Sequence, residues 1–294
     1  MSLGVARLQV FAAALLFSTG GAGIKAEAFT GLQVSALRSG IAAVVLILML
    51  RGRVVLSPAM LGTGIVYAAT VTLFVLSTKL TTAANAIFLQ ATAPLYLLLL
   101  GPLVLSERFR ARDVVFLVGV AVGLALCVIG QPAATTTAPE PATGNLLAVV
   151  CSITWAFTLL GLRYLQRGST QEGSVGMSAV AIGNLFASVA AAPFAFPLPV
   201  ASASEWATIV YLGVCQIAVA YVFLTTAIRV LPALEVSLLL LIEPVLNPTW
   251  TWLIRGEDPG GYTIIGGAVI IAATAIKSVY EARTPLASDL IKTV

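Results

Sequence analysis

The chain is 294 residues long, 59% hydrophobic and only 10% charged, with a mean hydropathy of +1.03. Its 16 basic and 12 acidic side chains cannot cover the surface of a water-soluble fold of this size, which leaves the bilayer as solvent. The net charge of +4 then reads as membrane orientation and not as a nucleic-acid footprint. With no histidine, a Ser-His-Asp triad, a histidine metal site and an imidazole proton relay are excluded. Cys127, Cys151 and Cys215 sit singly inside apolar runs, as small core residues.

A spanning helix needs about 20 mostly apolar residues. Ten segments meet that need in chain order: Leu8–Ile24, Leu32–Leu50, Pro58–Ser77, Thr82–Leu105, Val114–Ile129, Gly144–Leu165, Val175–Phe196, Trp206–Arg229, Ala233–Ile254 and Tyr262–Tyr280. The first begins like a secretory signal, with Arg7 before an apolar stretch and small residues at Gly20–Gly23. The many spans behind it argue that it is retained as a helix. The breaks carry charge and turn formers, as in SERFRARD (106–113) and RGEDPGG (255–261). The apolar runs are continuous and not alternating, so the expected class is an all-α membrane protein.

The longest break, residues 131–143, holds three prolines and reads as a flexible linker between a first five-helix unit (1–130) and a second (144–294, with a short cytoplasmic tail). Placing the N-terminus inside puts twelve of the sixteen Lys and Arg residues on the cytoplasmic side. Only Lys25, Lys79, Arg255 and Arg38 fall outside. That asymmetry places both termini in the cytoplasm.

Residues 79–107 align without a gap on 229–257: Lys79 meets Arg229, Pro94 meets Pro244 and Glu107 meets Glu257. Five helices is an odd number, so the second copy enters the membrane from the opposite face. The expectation is two inverted five-helix repeats, an arrangement associated with alternating access.

On ALRSG (36–40), APLYLLLLGPLVLSER (93–108) and IEPVLNPTWTWLIRGE (242–257), the chain resembles the drug/metabolite transporter superfamily in its ten-helix EamA-type branch. Within it, the chain is most similar to YddG-type exporters of aromatic amino acids. It departs from the usual pattern at Ser18, where a tryptophan is frequent, while Trp155 fills the matching place in the sixth span. The resemblance implies a secondary transporter; the inverted halves, the lack of a processing signal and the lack of expected disulfides fit a bacterial inner membrane.

Polar and aromatic residues at mid-depth are the candidate pathway. Glu243, Asn247 and Trp250 recur at i, i+4 and i+7 and share one helix face, offering a substrate ammonium a carboxylate and a cation–π surface. The alternative is that Glu243 caps backbone freed by Pro244 or stays protonated in helix packing. Thr92 and Tyr96 share a face of the fourth span, with Gln90 close by. Tyr67 and Phe74 share one of the third. Gln216 and Tyr221 lie midway along the eighth span and Trp155 at the centre of the sixth. Trp155 and Tyr96 lie too deep for interfacial anchors, with ordinary packing as the alternative role. Arg38, about 10 Å into its helix, has three readings: snorkelling to the outer interface, pairing with Glu27, or holding a substrate carboxylate. Glu107 and Glu257, at span ends, read as caps or ion-pair partners.

The expected substrate is a small amphiphilic metabolite, an aromatic or bulky amino acid foremost. No GxxxxGK[ST] loop is present. Transport is then driven by a proton gradient, with Glu243 as carrier, or runs downhill. Multidrug or organic-cation efflux is the alternative within transport. An intramembrane enzyme would need a nucleophile–base pair or metal site at depth, which the sequence does not offer. No cofactor, metal or nucleic-acid partner is expected, only the solute and membrane lipid.

Overall fold

The computed structural model describes residues 1–25, 28–93, 95–97, 111–130, 133–167, 172–227, 231, 236 and 239–283. Every regular element among them is helical. Six helices or helix pairs are long and apolar enough to cross a bilayer: Leu3–Ile24, Gly31–Met49, Pro58–Leu80, Pro141–Leu162, Val175–Phe194 and Ala203–Ala227. Shorter apolar helices occupy Val114–Ile129 and Gly261–Lys277. The fourth and ninth expected spans are described in part, as helices Ala83–Gln90 and Ile242–Arg255. Pro94, Glu107 and Arg229 lie outside the described residues.

The helix starts are written in local chemistry. Ser57 accepts from the Met60 amide ahead of Pro58, a residue whose missing N–H is harmless in the first turn. Thr30 with Gln33, and Ser202 with Glu205, form reciprocal capping boxes. The sixth helix starts at Pro141, three residues earlier than the apolar run suggests, again with proline in the first turn.

Several spans are interrupted. The first breaks at Thr19, between Leu3–Ser18 and Gly20–Ile24. The fourth turns at Ala91–Thr92, and the ninth at Leu241, 150 residues on. Each turn falls two or three residues before a proline, which lacks the N–H needed to bond the preceding turn. The eighth runs as α-helix over Ala203–Tyr211, as π-helix over Leu212–Val219, and as α-helix again over Ala220–Ala227.

The second span packs on the seventh, the fourth on the ninth and the fifth on the tenth. The third lies against the sixth and seventh, and the first against the eighth and ninth. Backbones approach closely between the fifth and tenth, where a Cβ on Gly123 would come 2.8 Å from the Gly266 carbonyl. Gly119 and Gly123, four residues apart on one helix face, thus serve packing within one chain. The segment expected as a linker is anchored at several of its described residues. Ala138 is fully buried, Thr135 and Ala138 exchange backbone hydrogen bonds, and the Glu140 amide donates to the Leu80 carbonyl at 3.1 Å.

Candidate functional site

The π-helical stretch of the eighth span sets the centre of the site. Wide-turn segments of this kind are found disproportionately at functional positions, because they redirect side chains that an α-helix would stack. Here it carries Gln216, buried against the broken first helix: a Cβ on Gly20 would lie 3.0 Å from Gln216 Nε2 and 3.9 Å from the Phe74 ring. Glycine at 20 keeps this approach free of a tight contact with the Gln216 amide.

Arg38 reaches the same place from the second span. It is 1% exposed, with Nη1 donating to Gln216 Oε1 and Nη2 to the Val71 carbonyl, both at 3.5 Å. This overturns the snorkelling expectation, because the guanidinium is enclosed by the second, third and eighth helices instead of reaching an interface. Glu27, the other expected partner, lies outside the described residues. Tyr67 and Tyr221 stand edge-to-face with centroids 5.8 Å apart. Phe17 closes the far side of Tyr221 at 5.1 Å. Asn184 Nδ2 donates to the Tyr67 hydroxyl at 3.1 Å. Asn184 was missed by the sequence reading, although a lone amide at mid-depth of the seventh span was its signal.

The face of the ninth helix is placed in three parts. Glu243 is half-buried in the first turn, where a carboxylate meets the positive end of the helix dipole. Asn247 is fully buried, and both its amide oxygen and nitrogen lack a hydrogen-bond partner. It presses on the first helix so closely that a Cβ on Gly21 would collide with its Oδ1. Trp250 Nε1 donates to Ser18 Oγ at 3.0 Å, so the serine standing where tryptophan is frequent is the acceptor for a tryptophan across the interface.

A second group joins the third, fourth and sixth spans. Gln90 Nε2 donates to Cys151 Sγ at 3.6 Å, Thr92 Oγ1 to Ser152 Oγ at 3.2 Å, and Thr70 bonds Thr158 at 3.2 Å. Cys151 Sγ donates in turn to the Thr70 carbonyl at 3.3 Å, tying the sixth span to the third. Trp155 and Tyr96 are partly exposed, and neither enters the hydrogen-bonded set among the described residues.

One end of the bundle is closed by a different cluster. Lys25 Nζ, at the end of the first span, pairs with Glu257 Oε2 at 2.7 Å, the side chains being 2% and 4% exposed. Lys25 also donates to the carbonyls of Thr81, at 2.6 Å, and of Thr137 in the connection. Glu257 Oε1 accepts the Ala83 amide at 2.6 Å, capping the fourth span from the ninth. Burial pulls the Lys25 ammonium below the usual lysine pKa, and Glu257 pulls the other way. The expectation that Glu257 caps and pairs is thus met, while Lys25, counted in the sequence only for orientation, is its partner.

The model of the EamA-like transporter family matches residues 5–129 and 142–279. The chain belongs to the EamA-like transporter family. An EamA-like chain of this helical make-up is a multi-pass membrane transporter of small solutes. Among curated proteins, none matches it. A solved structure titled only "Crystal structure of protein" is similar in fold, with a TM-score of 0.62 at 23% identity over 96% of this chain and 99% of that one.

Proposed function

We propose that this EamA-family transporter exports small amphiphilic metabolites, aromatic or bulky amino acids foremost, by alternating access. Two inverted halves, 1–130 and 144–294, joined by 131–143, move against each other around the site. The carrying observation is the composition of the buried polar layer: Arg38 and Tyr67 come from the first half, and Gln216, Tyr221 and Asn247 from the second. A site shared between halves changes its access whenever the halves rock. The packing supports the exchange of roles. Third-on-sixth has its counterpart in eighth-on-first, third-on-seventh in eighth-on-second, and fourth-on-sixth in ninth-on-first. The breaks before Pro94 and Pro244 supply hinges at equivalent places.

On this reading the protein sits in a bacterial inner membrane with both termini cytoplasmic, in the YddG-like branch, and the Lys25–Glu257 cluster seals its outer face. Aromatic walls with few fixed polar groups suit an amphiphile better than a sugar.

Asn247→Leu tests it. Both amide atoms are already unpartnered, so an apolar residue of similar size leaves folding stability equal or higher. If the amide serves a passing solute, flux of labelled phenylalanine from proteoliposomes falls at least about tenfold, the loss of one hydrogen bond worth about 1.4 kcal/mol. Unchanged flux in a folded Asn247→Leu, together with unchanged flux in Glu243→Gln and Trp155→Ala, removes this layer from the pathway. Flux of organic cations in preference to phenylalanine selects cation efflux instead.

A further inference from the structure

Among the described residues, Arg38 is a buried cation whose hydrogen-bonding needs are not met. A guanidinium has five N–H donors in one plane. Two are used, both at 3.5 Å and both on neutral oxygens, while Nε has no acceptor at all. The ion pair among the described residues nearest in kind, Lys25–Glu257, shows what this chain does with a buried charge it wants neutralised: a carboxylate at 2.7 Å. A buried charge without a counterion is strongly unfavourable, so an arginine kept there is kept for an anion that comes and goes.

We propose that Arg38 is the anchor for a carboxylate on the transported solute and restricts the pathway to carboxylate-headed amphiphiles. The inference rests on the transport reading above. The planar fork matches a carboxylate through two parallel N–H···O bonds, and Gln216 orients it by holding Nη1 from one side. A single guanidinium, with no second cation bonded to the same groups among the described residues, suits a monoanion better than a phosphate ester. The Tyr67–Tyr221 pair, with Phe17 against Tyr221 and Phe74 against the first helix, supplies apolar surface for the body behind the head.

The test measures binding of phenylalanine, its methyl ester and phenethylamine to the detergent-purified full chain by calorimetry, with wild type, Arg38→Gln and Arg38→Lys. Wild type binds phenylalanine at least about 30-fold more tightly than the two compounds lacking a carboxylate, as expected for a desolvated charge pair. Arg38→Gln erases the preference, and Arg38→Lys, a point charge without the fork, recovers part of it. Equal or tighter binding of phenethylamine by wild type overturns the anchor while leaving transport standing, and that comparison needs no variant to fold. A folded Arg38→Gln that keeps the preference also overturns it. Failure of all three compounds to bind overturns the amphiphile reading and the anchor with it.

Discussion

Replacing Glu257 by glutamine isolates the seal at the Lys25 end of the bundle. The substitution is isosteric, so the amide oxygen still caps the Ala83 N–H, and only the charge opposite Lys25 is lost. Lys25 is then an ammonium 2% exposed with two carbonyls, Thr81 and Thr137, and no counter-charge. Breaking a buried pair from one side costs about 3–5 kcal/mol, and the surviving carbonyl bonds put this case at the lower end, about 3 kcal/mol. Only the closed state bears that cost, because opening hydrates Lys25. A shift of about 3 kcal/mol changes the closed-to-open ratio by about 150-fold. Ala138, fully buried beside Thr137, reports it. In a background without the native cysteines, Ala138→Cys reacts with a membrane-impermeant maleimide more than tenfold faster when Glu257→Gln is present. Adding Lys25→Met restores slow labelling, since a neutral pair leaves no orphan charge. Wild-type labelling rates in Glu257→Gln, with no effect of the second change, would refute a charge-held closure.

Two further outcomes follow from single contacts. Gly21→Ala drives a Cβ into Asn247 Oδ1 and to 3.0 Å from the Ala83 Cβ, an overpacking worth about 2 kcal/mol; a lowered apparent melting temperature that Asn247→Ala largely restores is the expected pattern. Lys25 gives stability a pH dependence of definite sign. Its native pKa lies below the usual lysine value, so in the alkaline window between the two the unfolded chain holds the proton and the folded one does not. Stability contributed by Lys25 therefore rises with pH across that window, and Lys25→Met flattens the rise in thermal-shift measurements.

The membrane class was legible at once, because so few charges cannot solvate so much apolar surface. The turns at Ala91–Thr92 and Leu241 were not expected, both spans being read as continuous, although each lies two or three residues before a proline. Helix ends moved by only a few residues, where caps such as Ser2 and Ser202 and the first-turn Pro141 extended the apolar runs. The site was harder. Asn247 and Trp250 were found from their shared face, but their partners, Gly21 and Ser18, lie more than 200 residues away and no local pattern announces them. Arg38 shows the limit clearly. Depth along its own helix allows snorkelling, and what forbids it is Gln216 on a π-helical turn with no proline to mark it. Trp155 and Tyr96 were chosen for depth alone. Depth does not say toward which neighbour a ring points.

The clasp of Lys25 on the Thr137 carbonyl has a topological consequence. On the proposed alternating-access reading, the segment that stitches one half to the other is also stuffed into the seam that parts when the molecule opens outward. Covalent continuity and watertightness are vested in the same few residues. A permuted chain, cut there and rejoined at its old ends, would keep every spanning helix and yet leak.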